Sequence, residues 1–396
     1  MFKNGQVLIQ KFGGSSVASV ERIKNAAVRI AEKAKRGYAM VVVISAMGDT
    51  TDELIALIHK ISTFPERREL DHVMATGEMV SASLMASALT ELGIRAKSFN
   101  AFNLQLFSEL CGSDYCITKI GRQKDFEAFL KPGSVAVVAG FQGITNEGDL
   151  TTLGRGGSDL TAVVMARELG QKVCEKYTDE DGVYTADPRI IPSASKVWHL
   201  SYDEMLTLAH FGNGILHPRS ISLAKESDIR LHVRSSFSNV EGSVIGPDGD
   251  DSVPIKSITC CNKFVYVRIN GLNSSKISNL AFNLKELPFQ PAIVEITDNS
   301  IAFGFPRNQS FEAITFCWEK AAELDAEKVE CFSELTTISI VGSGFIYDKV
   351  LSDKILAISD EFGCTIKQHE GLRVSFAVSK EHVSKALTLL HSSFLL

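Results

Sequence analysis

The chain has 396 residues, of which 45% are hydrophobic and 22% charged, and its formal net charge at pH 7 is −6. This composition is typical of a soluble globular protein, and the length exceeds one ordinary core, so two or three domains are expected. The negative balance argues against nucleic acid or an anionic membrane as the main partner. No signal peptide is recognisable after Met1 and the apolar runs are too short to span a bilayer, so we expect a cytoplasmic protein. The eight cysteines are scattered without ligand spacing, which argues for reduced thiols and against a zinc site.

The first strand and the loop after it have the layout of a phosphate cradle. Residues 6–10 predict a strand, the segment Lys11-Phe12-Gly13-Gly14-Ser15-Ser16 follows, and helical spacing continues to Arg36. The pattern is not the Walker motif, because the lysine precedes the glycines. A lysine at the end of a strand would project over the sheet edge where ligands of open α/β folds bind. The alternative is a surface lysine beside a turn.

The second strand, predicted at residues 40–44, ends in a polar segment that contains Ser45. Thr50 and Glu53 have the spacing of a capping box, which predicts a helix from Thr50 to about residue 61. Ser45 and Thr51 are candidate ligand contacts, although capping would explain the threonines equally well. Further on, Thr76-Gly77-Glu78 predicts the start of a helix that reaches residue 92. Glu78 would lie in its first turn, where the helix dipole favours a carboxylate.

The segment from Thr151 to Asp159, with the sequence TTLGRGGSD, is the strongest candidate for a ligand site. It follows a predicted strand at residues 135–141 and precedes a predicted helix at 159–169, with Ser158 as the expected N-cap. The free N–H groups and the dipole of a helix N-terminus attract anions, and Arg155 could hold a carboxylate or phosphate through two parallel hydrogen bonds. A tight turn with a solvated arginine explains this loop equally well when it is considered alone.

The intervening and following segments complete an alternating pattern. Residues 94–99 and 172–177 predict strands, 125–130 a short helix, 146–149 a hairpin turn, and 101–123 no regular element. Helices are predicted at 202–211 and 218–226, and a strand at 229–233. The loop at 178–189 carries four acids, a tyrosine and an arginine, which is more than a turn requires. The alternation predicts an α/β domain with a mostly parallel sheet that is sandwiched by helices.

The last third of the chain predicts two similar α+β units after a polar, turn-rich linker at residues 246–252. Strands are predicted at 264–269, 292–296, 337–341, 365–368 and 372–378, with helices from Lys276, at 349–361 and at 380–390. This repeated order is typical of small ferredoxin-like sandwiches. The segment Gly342-Ser343-Gly344 lacks the third glycine of a dinucleotide fingerprint, so a turn is the simpler interpretation.

Taken together, the motifs resemble those of an aspartokinase of the amino acid kinase family. The matching segments are Lys11 to Val17, Ser45-Ala46-Met47-Gly48, Thr76-Gly77-Glu78, Ala139-Gly140-Phe141-Gln142-Gly143, Thr151 to Asp159, Tyr177-Thr178-Asp179, Asp181 to Arg189, and His232-Val233-Arg234-Ser235-Ser236. Each is modest alone, but the order and spacing are specific, because sister kinases share the fold and not this set.

The resemblance implies a reaction and a set of roles. The reaction is the ATP- and Mg²⁺-dependent phosphorylation of the L-aspartate side chain to 4-phospho-L-aspartate, the first step of the diaminopimelate route to lysine, threonine and methionine. Lys11 would neutralise the transferred phosphoryl group with the N–H groups of Gly13 and Gly14, and Asp159 would hold Lys11 or a magnesium ion. Arg155 would bind the α-carboxylate of aspartate and Glu78 its ammonium group. The rest of the aspartate pocket would comprise Ser45, Thr51, Gly156 and Ser158, and the rest of the nucleotide site Ser15, Thr178, Asp179, Tyr184 and Arg189.

The resemblance also implies a domain division and partners. A kinase domain would span residues 1–245, a linker 246–259, and two ACT-like domains 260–332 and 333–396. These would carry a homodimer contact and an effector site for lysine or threonine, although the Pro-Gly that usually opens the ACT helix is absent from both units. Another departure is Gly214, where relatives usually carry a lysine that is associated with the nucleotide. Two alternatives stay open: a sister kinase of the same fold with another acceptor, and an inactive amino-acid sensor, which only these departures support.

Overall fold

The computed structural model describes residues 7–250, 252–283, 291–364 and 366–395. Gln6, Asp251 and Thr365, which belonged to predicted strands or the linker, lie outside these ranges. The chain divides into two compact units. The first unit comprises Met1–Val183, Trp198–Leu206 and Gly214–Gly249, and the second unit comprises Tyr184–Val197, Thr207–Asn213 and Asp250–Leu396.

The first part of the chain alternates between strands and helices, as the sequence predicted. Its strands are β1 (Val7–Phe12), β2 (Ala39–Ile44), β3 (Arg95–Phe99), β4 (Leu106–Cys111), β5 (Asp114–Ile120), β6 (Ser134–Ala139), β7 (Gln142–Ile144), β8 (Leu150–Thr152), β9 (Val173–Thr178), β10 (Val183–Tyr184), β11 (Lys196–Val197), β12 (His199–Ser201), β13 (Arg230–Ser235) and β14 (Ser243–Gly246). Its helices are α1 (Val20–Lys35), α2 (Thr50–His59), α3 (Arg67–Glu91), α4 (Ala101–Leu104), α5 (Gln123–Phe129), α6 (Gly157–Glu168), α7 (Tyr202–His210) and α8 (Pro218–Glu226).

Within the described residues, eight strands of the first unit form one sheet in the order β12-β14-β13-β9-β1-β2-β6-β3. All neighbouring pairs are parallel except β13 and β14, which confirms the predicted, mostly parallel sheet. The central strand β2 is buried along its whole length, as expected for a parallel strand that is covered on both faces.

The two faces of this sheet carry different side chains because residues alternate along each strand. Phe12, Val42 and Ile44 pack with α1 and α3 in one buried cluster. Helix α6 packs against β1, β2 and β9. Lys11 lies beside Val43 in the register of β1 and β2, so it points away from the α1 face. The alternation therefore places Lys11 under α6.

A second, smaller sheet in the first unit has the order β5-β4-β7-β8. The predicted hairpin turn at residues 146–149 is confirmed, since it joins the antiparallel strands β7 and β8. The expectation that residues 101–123 are irregular was wrong, because they form helix α4 and the β4–β5 hairpin. The short segments and the register shift in this hairpin leave little periodicity in the sequence.

From residue 257 onward, the described part of the second unit forms two antiparallel four-stranded sheets. Its strands from residue 257 are β15 (Ser257–Cys261), β16 (Phe264–Asn270), β17 (Ile293–Ile296), β18 (Ser300–Pro306), β19 (Lys328–Phe332), β20 (Leu335–Val341), β21 (Ile366–Glu370) and β22 (Arg373–Ser379). Its helices are α9 (Ser274–Asn283), α10 (Ser310–Glu323), α11 (Gly344–Tyr347), α12 (Lys349–Asp360) and α13 (Val383–Phe394).

The order of these strands interleaves the two small sandwiches. Among the described residues, one sheet has the order β15-β20-β22-β21 and the other β17-β18-β16-β19. Strand β15 falls in the range that we expected to be a linker, and it pairs with β20, more than seventy residues later. The sandwich of β16 to β19 is thus inserted in sequence between β15 and β20. The helix pattern predicted for both sandwiches is present, and each has its own buried cluster.

No helix in the described part of the chain combines the length and apolar character needed to cross a membrane.

Candidate active site

Two lysines on neighbouring strands meet one carboxylate at the start of α6. The register of β1 and β9 sets Lys11 directly beside Lys176, and both side chains reach Asp159 in the first turn of α6. The Nζ atom of Lys11 lies 2.6 Å from Oδ1 of Asp159, and that of Lys176 lies 2.5 Å from Oδ2. Two cations thus share one anion, and the cluster carries a net positive charge.

Burial makes this cluster electrostatically strong. The side chains of Lys11, Asp159 and Lys176 are 8%, 7% and 12% exposed. Burial alone would raise the pKa of Asp159, but the charges of the two lysines outweigh it and lower that pKa to about 2. Burial lowers the pKa of Lys176, and Asp159 only partly opposes this. The carboxylate is therefore well stabilised, whereas the second ammonium group remains under-compensated.

Of the two roles expected for Asp159, the structure shows the first, the ion pair with Lys11. Both carboxylate oxygens are engaged by ammonium groups, which leaves Asp159 poorly placed to hold a metal ion at the same time. The described residues contain no group of three or more His, Cys, Asp or Glu side chains that could hold a metal ion by themselves.

Lys176 was missed in the sequence analysis, which used residues 172–177 only as a strand. Its local signal was weak, because Lys176 lies beside Glu175 in a strand of mixed polar and apolar residues. Its partner could not be read from the sequence, because the adjacency of β9 and β1 is a property of the sheet order.

The loop after β1 packs closely against the loop after β2. The Gly48 N–H donates to the Gly14 carbonyl at 3.1 Å, and a Cβ atom on Gly14 would lie 3.1 Å from the Ala46 carbonyl oxygen. The expected contribution of the Gly13 N–H to the ligand was wrong, because this group donates to the Tyr177 carbonyl at 3.1 Å. The N–H groups of Gly14 and Ser15 begin a short 3-10 helix, where N–H groups lack intrahelical acceptors and are suited to an anion.

Helix α3 brings Glu78 to the loop after β2. The expectation that Glu78 lies in a first turn was wrong, because α3 runs unbroken from Arg67 and Glu78 is buried in its middle. The break was misread from Gly77, which is tolerated inside the helix because a Cβ there would lie 2.9 Å from the Ala46 Cβ. Oε1 of Glu78 accepts the Ala46 N–H at 3.0 Å, whereas Oε2 is buried without a hydrogen bond to any described residue.

The environment of Glu78 shifts its ionisation. Burial raises the pKa of Glu78 to about 7, and the hydrogen bond from Ala46 and the charge of Lys11 only partly oppose this. The charge of Lys11 is thus one of the influences on the Glu78 carboxylate. An unpaired, buried carboxylate oxygen in such a place is suited to a cationic ligand group, which would supply the missing partner.

Ser45 and Thr51 flank the same loop. Both are half-buried, and the Ser45 N–H donates to the Phe12 carbonyl at 3.1 Å, which ties the ends of β1 and β2 together. The predicted start of α2 at Thr50 is confirmed, but the capping box was wrong. The Thr50 hydroxyl donates to the Met47 carbonyl at 2.6 Å, and no side chain caps the helix.

The glycine-rich loop before α6 is held in place from outside. Gly154 and Gly156 have φ angles of +74° and +71°, a region that other residues rarely adopt. Arg219 braces the loop, since it donates to the Leu153 carbonyl at 2.5 Å and pairs with Asp114 at 3.4 Å. Arg219 was not singled out from the sequence, because it lies in a different helix.

Within this loop, Arg155 and Ser158 have different environments. Arg155 is exposed, and no described residue forms a hydrogen bond or an ion pair with its guanidinium group, so it is free to bind a ligand. The expected N-cap role of Ser158 was wrong, because α6 begins at Gly157 with Gly156 as its cap. Ser158 is buried instead, against Gly140: a Cβ added to Gly140 would lie 2.8 Å from the Ser158 hydroxyl oxygen.

The predicted nucleotide loop is divided between the two units. In the first unit, Thr178 ends β9 and its hydroxyl donates to Asp179 at 2.9 Å. In the second unit, Arg189 pairs with Asp187 at 2.8 Å, and Lys196 stacks over the Tyr184 ring at 5.9 Å from its centroid. The nucleotide roles of Thr178, Asp179, Tyr184 and Arg189 stay predictions.

The parallel strand order, the glycine-rich loops and the buried lysine–aspartate cluster are features of α/β proteins that bind phosphate groups. The profile of the Amino acid kinase family matches residues 6–235. The chain belongs to this family, and within it to the aspartokinases.

Its relatives match over nearly the whole chain. Aspartokinase 2 of Bacillus subtilis is 37% identical over 98% of this chain and 97% of its own length. The aspartokinase of Bacillus sp. (strain MGA3) has the same identity and the same coverage. The structure is similar to that of Escherichia coli aspartokinase III in complex with aspartate and ADP, with a TM-score of 0.79 at 20% identity over 98% of this chain and 100% of the other. At that identity the likeness shows the shared fold.

Proposed function

We propose that this chain is an aspartate kinase that transfers the γ-phosphoryl group of ATP to the side-chain carboxylate of L-aspartate. The products are 4-phospho-L-aspartate and ADP. The observation that carries the proposal is the buried, net-positive cluster of Lys11, Lys176 and Asp159 at the N-terminus of α6. Such a cluster attracts an anion, and phosphoryl transfer depends mainly on positioning and on neutralisation of charge.

The charges of the reactants match the residues around this cluster. A carboxylate oxygen of aspartate attacks the γ-phosphorus, the bond from that phosphorus to the bridging oxygen breaks, and its electron pair leaves with ADP. Lys11 and the N–H of Gly14 offset the negative charge on the phosphoryl oxygens during this transfer. Asp159 holds Lys11 in position and does not itself touch the phosphate.

The amino acid is held at its two backbone charges. The free guanidinium of Arg155 binds the α-carboxylate, and the unpaired Oε2 of Glu78 accepts from the ammonium group. Ser45 and Thr51, at the ends of β2 and the start of α2, line the pocket between them. Gly156 lets the loop turn beside the ligand, and the buried Ser158 supports the helix start from behind.

On the nucleotide side, ATP carries Mg²⁺ to the site on its own phosphates, where the ion offsets part of their charge. Ser15, with its N–H at the start of the 3-10 helix, and the loop of Thr178 and Asp179 line this side in the first unit. The nucleotide roles of Tyr184 and Arg189 rest on the sequence resemblance alone.

The second unit extends the proposal to regulation. Its two α+β sandwiches have the antiparallel sheets and the helices expected of ACT domains. We propose that they bind lysine or threonine as an effector and form the contact of a homodimer.

One assay tests the proposed activity. The purified chain is incubated with ATP, Mg²⁺ and L-aspartate, and hydroxylamine traps the acyl phosphate as a coloured hydroxamate. We expect product with aspartate, none without ATP, and a change of rate when lysine or threonine is added. Product with glutamate and not with aspartate would identify a sister kinase. No product with either acceptor, together with binding of lysine or threonine, would identify a sensor.

A further inference from the structure

Lys176 is a buried cation of the cluster to which the proposed function assigns no role. Its Nζ atom donates to Oδ2 of Asp159 and to the carbonyl oxygen of Ile215, both at 2.5 Å. An ammonium group has three donors, so one remains after these two bonds. The side chain keeps 12% of its surface exposed, which makes the remaining donor reachable. An under-compensated ammonium group with a spare donor is placed to bind an anion.

The position of this ammonium group relates it to Gly214. The hydrogen bond to the Ile215 carbonyl puts Nζ one residue from Gly214 along the chain. The backbone does not require glycine at 214, because its φ lies outside the left-handed region and a Cβ would meet no atom within 4 Å. Gly214 therefore leaves open space next to the cluster, where a longer side chain could have placed a cation. In this chain the cation beside that space is Lys176, which comes from β9.

We propose that Lys176 is a second catalytic lysine, which contacts the transferred phosphoryl group together with Lys11 and supplies from strand β9 the positive charge that Gly214 lacks. This inference rests on the proposed kinase function. Lys11 and Lys176 approach from adjacent strands and are both held by Asp159, so a phosphoryl group at the cluster meets two ammonium groups at once. As the γ-phosphorus passes from the bridging oxygen to the aspartate carboxylate, the two groups share the charge on its oxygens.

The experiment uses the full chain with Lys176→Met, Lys176→Gln and the double variant Lys176→Met with Gly214→Lys. Lys172→Met is the matched control, because Lys172 precedes the same strand and also pairs with an aspartate but is 66% exposed. The Gln variant retains hydrogen bonding to Asp159 or Ile215 without the charge, which keeps the test valid where the Met variant does not fold by circular dichroism.

We expect both single Lys176 variants to lose about 100-fold in kcat/KM for ATP, the effect of removing one electrostatic donor from a transition state. The KM for aspartate stays near that of the unmodified chain, and Lys172→Met behaves like the unmodified chain. Adding Gly214→Lys restores about tenfold or more of the loss, because a second cation returns to the cluster from the other side. Folded Lys176→Met and Lys176→Gln proteins with kcat/KM within about threefold of the unmodified chain would overturn the proposal, since a charge contact at the phosphoryl group costs more than that.

Equilibrium binding separates this inference from the proposed function. A phosphate contact predicts that Lys176→Gln weakens ATP binding and leaves binding of adenosine, which has no phosphate, unchanged. Equal losses for ATP and adenosine would show a purely structural role and overturn the inference. The unmodified chain's hydroxamate assay decides the proposed function by itself, because ATP binding requires no acceptor.

Discussion

Replacing Asp159 by asparagine tests whether the site is built around one shared carboxylate. The change preserves shape and removes the anion that holds both Lys11 and Lys176. The two buried ammonium groups would then face each other without compensation. We expect the first unit to lose about 3–5 kcal/mol of its free energy of unfolding, which is the usual cost of removing one partner of a buried ion pair.

The pKa of Asp159 gives an independent magnitude. Its shift from 3.8 to about 2 corresponds to roughly 2–3 kcal/mol in favour of the charged, folded form. Burial lowers the pKa of Lys176, which disfavours its charged form. The lowered pKa of Asp159, in contrast, favours its charged form. Asp159 sets the magnitude, because its carboxylate pairs with both lysines.

Unfolding of the first unit can be followed by tryptophan fluorescence. Its two tryptophans are Trp198, in the first unit, and Trp318, in the second. In a Trp318→Phe background, the fluorescence of Trp198 reports urea unfolding of the first unit. The matched control is Asp203→Asn, whose partner Lys225 lies at 2.6 Å but whose side chain is 56% exposed. We expect the control to change the free energy of unfolding by less than about 1 kcal/mol.

The pH dependence of the free energy of unfolding tests the direction of this effect. Because folding lowers the pKa of Asp159, its stabilisation is fully present above pH 3.8 and is lost as the pH falls through about 2. The difference between the unmodified chain and Asp159→Asn should therefore shrink in that window. If Asp159→Asn and Asp203→Asn lowered the free energy of unfolding equally at pH 7, within about 1 kcal/mol, the reasoning about the shared carboxylate would be refuted.

Three further variants test the rest of the site. Because folding raises the pKa of Glu78 to about 7, its carboxylate forms as the pH rises through 7, so the KM for aspartate should fall between pH 6 and 8. Glu78→Gln should abolish that dependence, and a retained pH profile would count against Glu78 as the ammonium ligand. Arg155→Ala should raise the KM for aspartate about 10- to 100-fold with an unchanged melting temperature, because the side chain has no partner to lose; an unchanged KM would remove Arg155 from the pocket. Gly156→Ala places a Cβ 2.3 Å from the His217 Cβ, so it should lower the melting temperature more than Gly148→Ala, whose φ is also positive but whose surroundings are open. If the Gly156→Ala and Gly148→Ala variants had equal melting temperatures, the contact between position 156 and His217 would not limit the side chain at 156.

The sequence pointed to those residues of the cluster that have a recognisable local pattern. Lys11 lies next to the last residue of a strand, and Asp159 lies in the first turn of a helix after a glycine-rich loop, so each was found from its immediate neighbours. The structure shows that they meet at 2.6 Å. Lys176 has no such local pattern, and its role emerges only when β9 is placed beside β1. Sheet order is a long-range property, and neither spacing nor composition specifies it.

The errors have a similar origin. Gly77 suggested a helix boundary because glycine has a low helix propensity, yet close packing against Ala46 favours it inside α3. Ser158 had the residue type of an N-cap, but the left-handed conformation of Gly156 ends the loop two residues earlier. In the second unit, the pairing of β15 with β20 joins segments that are far apart in sequence. In each case tertiary packing outweighed a correct local preference.

The opposite face of β9 explains how the lysine pair is kept in register. Glu175 points toward α1, where it accepts from Lys33 at 2.7 Å and from Gln10 at 2.6 Å. Burial acts to raise the pKa of Glu175, but Lys33 and its other partners outweigh it and lower that pKa, so the carboxylate is charged. A slip of β9 by one residue would turn Glu175 toward α6 and bury Lys176 under α1, against Lys33. The ion cluster on the α1 face therefore opposes that slip and holds the register in which Lys176 meets Asp159.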